Sequence, residues 1–284
     1  MTTRADYQHY IEQAYTREHD QLSEELARWR SQFDAHNALF GYFPPGWPLS
    51  LAAVAAFLYE RRGDRALAER ARDLLLRYPQ WTRQMPPEVA ATRPEYERGV
   101  PPLEPVFQPM TFVPAVERIR PILTESETEI MANMLAETFG LIFRFPEWGA
   151  HNRAMLRAAG LALAARAFPD HAEASRWVEL ADELAEESWG RWSIEDAMLY
   201  QPHWLRALFT YAEARGRSEI VHFLQPRAYL RTMTQLLTPL GTLPDFGDSW
   251  WASSQWEWIA CLEWGARAYH DPALKWAAAR LWQR

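Results

Sequence analysis

One cysteine, Cys261, is the whole thiol content of this 284-residue chain, and it sits in an apolar helical stretch. An internal disulfide framework and a Cys-based zinc site are therefore excluded, and a buried, inert thiol is expected. Long apolar runs are missing too. The longest, Leu51 to Tyr59, is about half of the roughly 20 residues that span a bilayer, so no membrane helix is expected. There is no basic block: thirty Lys+Arg stand against thirty-seven Asp+Glu, a net charge of −7, with the signs mixed along the chain. That pattern argues against nucleic acid as a partner. No apolar segment follows a basic region at the start, so the chain as written is expected to be cytoplasmic, or periplasmic or secreted if the N-terminus is truncated. Gly-rich phosphate loops, a GxSxG elbow and an HExxH pair are all absent, and His9, His19, His36, His171, His222 and His270 are scattered. No metal and no cofactor is expected.

What is present is a composition for a large core, 48% hydrophobic with 24% charged, which rules out disorder. Aromatics make up 14%, with 15 Trp, and half of the 20 prolines fall between Pro79 and Pro121. Most of the chain reads at helical period, with few β-branched runs to support strands. The spacing predicts an all-α protein with helices at about 5–34, 47–62, 64–78, 112–120, 125–144, 151–167, 171–189, 197–214, 218–236, 250–269 and 272–283. Gly63-Asp64 and Gly216-Arg-Ser218 read as stop-and-cap pairs of tight hairpins, Thr124-Glu-Ser-Glu127 as a capping box, and Phe168-Pro-Asp170 as a stop and restart. Between about 79 and 111, proline prevents any long helix. Trp81, Tyr96 and Phe107 favour an ordered loop there. About eleven helices in consecutive hairpins form either a solenoid or an α/α toroid. No signature repeats from hairpin to hairpin, which favours a single toroid domain over 1–284.

Three segments carry candidate chemistry. Trp148-Gly-Ala-His-Asn-Arg153 opens an apolar helix. Either Asn152 or His151 caps that helix, or an amide and an imidazole together face a carboxylate ligand at its positive end. Arg153 and Arg157, one turn apart, add charge nearby. The second segment runs from Ser193 to His203. It reads as a cap with acids in the first turn, or as Glu195, Tyr200 and His203 gathered at a cleft mouth. The third, Gly241 to Ser249, precedes Trp250-Trp251 and the aromatic positions Trp256, Trp258 and Trp264. It reads as an ordered turn with Asp248 as a cap, or as carboxylates beside flat rings suited to a pyranose.

In this order the segments resemble the heparinase II/III-like and alginate-lyase-like polysaccharide lyases. Those enzymes place an Asn/His pair at the start of an inner helix, then a Glu-x-Ser-x-x-Tyr stretch, then a Pro-x-x-Gly-Asp-Ser turn. Here the matches are His151-Asn152, Glu195 to Tyr200 with Ala197 in place of Ser, and Pro244-Asp-Phe-Gly-Asp-Ser249. Leu51 to Tyr78 also looks like the early hairpin of such toroids. The resemblance implies β-elimination on a uronate-containing oligo- or polysaccharide. Asn152 and His151 would neutralise the C5 carboxylate, and Tyr200 would move the C5 proton or protonate the leaving oxygen, with His203 or Arg153 assisting. Arg153, Glu195, Asp248, Trp250 and Trp251 would contact substrate. Family members usually continue into a β-sandwich, whereas this chain ends in the helix Pro272 to Trp282. Two other readings stand beside it: a glycoside hydrolase with a carboxylate pair drawn from Glu195, Asp196, Asp245 and Asp248, and a non-catalytic sugar-binding or scaffold domain whose Trp residues serve packing.

Overall fold

The computed structural model describes residues 3–31, 47–82, 101–191, 197–245, 247, 249 and 255–283. Among the described residues the chain is all-helical, with eleven helices of eleven residues or more. In chain order these are α1 Arg4–Ser31, α2 Trp47–Arg62, α3 Arg65–Thr82, α4 Pro109–Ile119, α5 Glu125–Arg144, α6 Asn152–Ala167, α7 Ala174–Arg191, α8 Gln201–Arg215, α9 Leu224–Leu236, α10 Gln255–Tyr269 and α11 Pro272–Trp282. None of the described helices is long and apolar enough to cross a membrane.

Most boundaries follow from local chemistry that the sequence announces. Gly63 takes φ +70° and ends α2 with its N–H on the Tyr59 carbonyl at 2.8 Å, and the Asp64 carboxylate accepts the Ala66 N–H at 3.0 Å to start α3. At α5 the capping box is complete: Thr124 Oγ1 accepts the Glu127 N–H at 3.2 Å, and Glu127 accepts the Thr124 N–H at 2.9 Å. Beyond it, Met131, Leu135, Thr138, Phe139 and Ile142 recur at helical spacing on the buried side.

Three boundaries depart from the sequence reading. The expected helix over 218–236 is divided into a single turn, Ser218–Val221, and α9. Pro226 lacks an N–H, and its ring would collide with the carbonyl four residues back, so the helix cannot run through. Gly216 does close α8 at φ +66°, but the next turn begins on Arg217 without a side-chain cap, and Ser218 lies inside it. Finally, α3 passes through Pro79 to Thr82, losing a backbone bond near its end rather than stopping at 78.

The described residues gather into two compact units. One comprises Arg4–Pro146 with Leu163–Arg176. There α2 packs on α3 and α4, and the end of the Pro-rich segment is pinned. The Leu103 N–H bonds Thr138 Oγ1 at 3.2 Å, Gln108 accepts the Glu104 N–H at 2.7 Å and donates to the Tyr78 hydroxyl at 2.6 Å, and Glu104 holds the Val106 and Phe107 amides. Leu103 and Val106 do the packing here, whereas Phe107 is 40% exposed. Residues 83–100, including Tyr96, lie outside the described residues. The other unit contains Glu147–Ala162 and Trp177–Arg284. In it α8 and α9 pack on α10, which pairs with α11, around the fully buried rings of Trp177, Trp204, Tyr211 and Trp258. From Ala154 to Ala162 every residue of α6 is buried.

Candidate functional site

His151, Asn152, Arg153, Tyr200 and His203 all belong to the unit that contains Glu147–Ala162 and Trp177–Arg284. The first three sit at the entry to α6. Gly149, at φ +108°, turns the chain so that His151 becomes the residue before the helix. Its ring then acts as the cap. Nδ1 accepts the Ala154 N–H at 3.4 Å, and Nε2, which therefore carries the proton, donates to the Trp148 carbonyl at 3.1 Å. Both nitrogens are committed locally, which realises the capping alternative for this residue.

Asn152 behaves differently. It opens the sixteen-residue α6 and is 4% exposed. Just beside it Glu147 lies between two guanidinium groups, with Arg153 Nε 3.0 Å from both of its oxygens and an Arg157 terminal nitrogen at 2.8 Å. This cluster sits at the end where the helix dipole is positive. Glu147 was not singled out from sequence. The signal was an acid six and ten residues ahead of two arginines that share a helix face.

The second group sits at the start of α8. Tyr200 is the residue before the helix, half-buried, with helical φ and ψ. Pro202, at the second position of α8, fits there because no intrahelical partner is required. Tyr200 and His203 therefore do lie about one turn apart. Burial, reinforced by Arg206 and opposed by Glu257, holds the His203 imidazole below its ordinary pKa, so it is neutral at neutral pH. α10 braces this end of α8: Trp258 Nε1 donates to the Met198 carbonyl at 3.2 Å and Cys261 Sγ to the Pro202 carbonyl at 3.4 Å. Burial pushes the Cys261 thiol up to about 12, which makes it the inert cysteine expected.

In the third segment, Ser249 Oγ donates to Asp245 Oδ1 at 2.5 Å across a turn in which Gly247 takes φ +70°. Glu195, Asp196, Asp248, Trp250 and Trp251 lie outside the described residues. Of the aromatic positions that follow, Trp258 is a core residue, and Trp264 stacks on Phe209 with centroids 3.8 Å apart and donates to Glu213 at 2.9 Å. Trp256 is half exposed and meets Trp282 edge-on. These rings serve packing as well as any ligand. Also not anticipated are Arg206, beside His203 on α8, and Glu257 on α10, because the pairing of those two helices is invisible in one dimension. Among the described residues no group of three His, Cys, Asp or Glu is arranged to hold a metal ion. Neither a scan against protein-family models nor a search of curated proteins finds a match to this chain.

Proposed function

We propose that the chain is a carbohydrate-active protein of the polysaccharide-lyase type, cleaving a uronate-containing glycan by β-elimination. The observation that carries this reading is the placement of Asn152, 4% exposed, at the positive end of α6 beside the Arg153–Glu147–Arg157 cluster. A carboxylate would accept from its N–H groups, and the helix N-terminus favours an anion there. In the reaction the C5 proton leaves the sugar as the C4–O bond breaks, and the electron pair forms the C4–C5 double bond. Asn152 takes the part of carboxylate neutraliser. Tyr200 takes the proton or returns one to the leaving oxygen, and His203, neutral and three residues on, would assist it as a hydrogen-bond donor. His151 acts through position, by fixing the first turn of α6. The reading carries with it the α/α-toroid arrangement expected from sequence.

The test is ultraviolet absorbance of the unsaturated product over alginate, heparan, chondroitin and hyaluronan. Product from at least one polymer is expected, with Tyr200→Phe losing turnover while keeping binding. Asn152→Ala should lower kcat about 10²–10³-fold, the usual effect of removing one preorganised donor. Absence of product from all four would overturn the elimination reading. Saturable glycan binding without product would favour the sugar-binding alternative, which the full commitment of both His151 nitrogens to capping supports.

A further inference from the structure

A cavity of about 120 Å³ lies between α8 and α10, lined by Arg206, Phe209, Thr210, Glu213, Cys261 and Trp264 among others. The four α8 residues follow i, i+3, i+4, i+7 spacing and so form one continuous face. We propose that this cavity binds a small carboxylic acid with a compact apolar body, its carboxylate held by the Arg206 guanidinium.

The following observations carry the proposal. Among the described residues Arg206 makes no ion pair or side-chain hydrogen bond, and its Nε is sealed from solvent without an acceptor. Such a group calls for a partner, and a carboxylate matches the planar guanidinium fork. The one carboxylate in the lining, Glu213, is already answered by the Trp264 indole N–H at 2.9 Å and by Arg267 at 3.5 Å. It also sits seven residues along α8 from Arg206, about 10 Å of helix. Thr210 spends its hydroxyl proton on the Arg206 carbonyl at 2.8 Å, which leaves Arg206 as the donor for an anion. The remaining wall is apolar, built from the near-parallel Phe209 and Trp264 rings, with an interplanar angle of 7°, and the Cys261 thiol. The volume is well below the roughly 300–1,000 Å³ of sites that enclose drug-sized ligands, so the occupant is small. The Arg206 charge is felt on both sides: it adds to burial in lowering the His203 pKa, and it works against the burial that raises Cys261, with Glu257 acting in the opposite sense on each. The inference does not draw on the elimination reading, since neither Arg206 nor this cavity has a part in it.

The experiment titrates benzoate into the full chain, with its neutral isostere benzamide alongside, by heteronuclear NMR of the indole N–H signals. The Trp264 signal is identified by its loss in Trp264→Phe. Saturable benzoate binding with a Kd of about 1 mM or tighter is expected to shift that signal, and Arg206→Gln should weaken binding at least about tenfold. Arg206→Lys, which keeps the charge but loses the fork, should fall between the two and serves if the Gln variant fails to fold. Benzamide binding as tightly as benzoate, benzoate binding undiminished in both Arg206 variants, or no saturation in the wild type would each overturn the proposal. Lyase activity is read separately, so its presence or absence leaves this outcome distinguishable.

Discussion

Single atoms decide several features of this protein. Gly241 takes φ +75°, and a Cβ placed there would stand 2.8 Å from the Arg280 backbone carbonyl. Neither the left-handed backbone nor a main-chain oxygen yields as a flexible side chain does. Gly241→Ala is therefore expected to destabilise by about 1–3 kcal/mol, lowering Tm by about 2–4 °C for each kcal/mol. A thermal scan that leaves Tm unchanged would show that the turn relaxes freely. Asn152 is a case that its neighbours decide. Sequence suggested the residue through its neighbour His151, but whether the amide was a cap, a packed side chain or an open donor depended on which acceptors the fold brought to it. Here the cap is His151, and Asn152 is the nearly buried first residue of the helix.

Among the helices, α6 shows how capping and candidate chemistry can be separated. His151 accepts the Ala154 N–H through one ring nitrogen, a task that an Asn side chain performs equally well. His151→Asn is expected to keep Tm within a degree or so of wild type, whereas His151→Ala should lose about 0.5–2 kcal/mol. If turnover is detected, His151→Asn should retain it, and a collapse of kcat at unchanged stability would return the imidazole to the reacting atoms. The helix boundaries were legible wherever one or two residues dictate them, as at Gly63-Asp64 and Thr124-Glu-Ser-Glu127. They were less legible where two tendencies compete. The pattern over 218–236 is amphipathic throughout, yet Pro226 removes an N–H and splits it. At Pro79 the same defect near a helix end is tolerated. Strength of local preference decided the first kind of boundary, and position within the helix the second.

Across the whole molecule, arginine is the cation that matters, since Lys275 is the single lysine among thirty basic residues. Several carboxyls are held below their ordinary range by arginines. The Arg72 guanidinium and the Thr124 backbone N–H bring Glu127 to about 2. Burial raises Asp182 and Asp271, but in each case arginine outweighs it, Arg215 with the Tyr211 hydroxyl for the first and Arg231 with the Ala273 N–H for the second. A carboxyl depressed in the folded state contributes stability above its unfolded pKa and loses it as pH falls through the folded value. For Glu127 the window runs from 4.5 down to about 2. Stability measured by thermal denaturation should therefore decline below about pH 4.5, with proton uptake on unfolding. Glu127→Gln should flatten that decline in this window, and a variant whose curve runs parallel to wild type would remove Glu127 from the effect.

Taken alone, the sequence determined the helical class, the number of long helices and most of their ends, because period, proline, glycine and capping side chains act within a few residues of themselves. It also determined that Cys261 is an inert core thiol, since an apolar helical setting already implies burial. Only the tertiary structure decided that Glu147 draws Arg153 and Arg157 together, that α10 braces the entry to α8, and that Arg206 lines a cavity with its Nε lacking an acceptor. Those outcomes depend on which helix faces meet. Meeting faces are selected by the joint packing of side chains far apart in the chain, which no local pattern records.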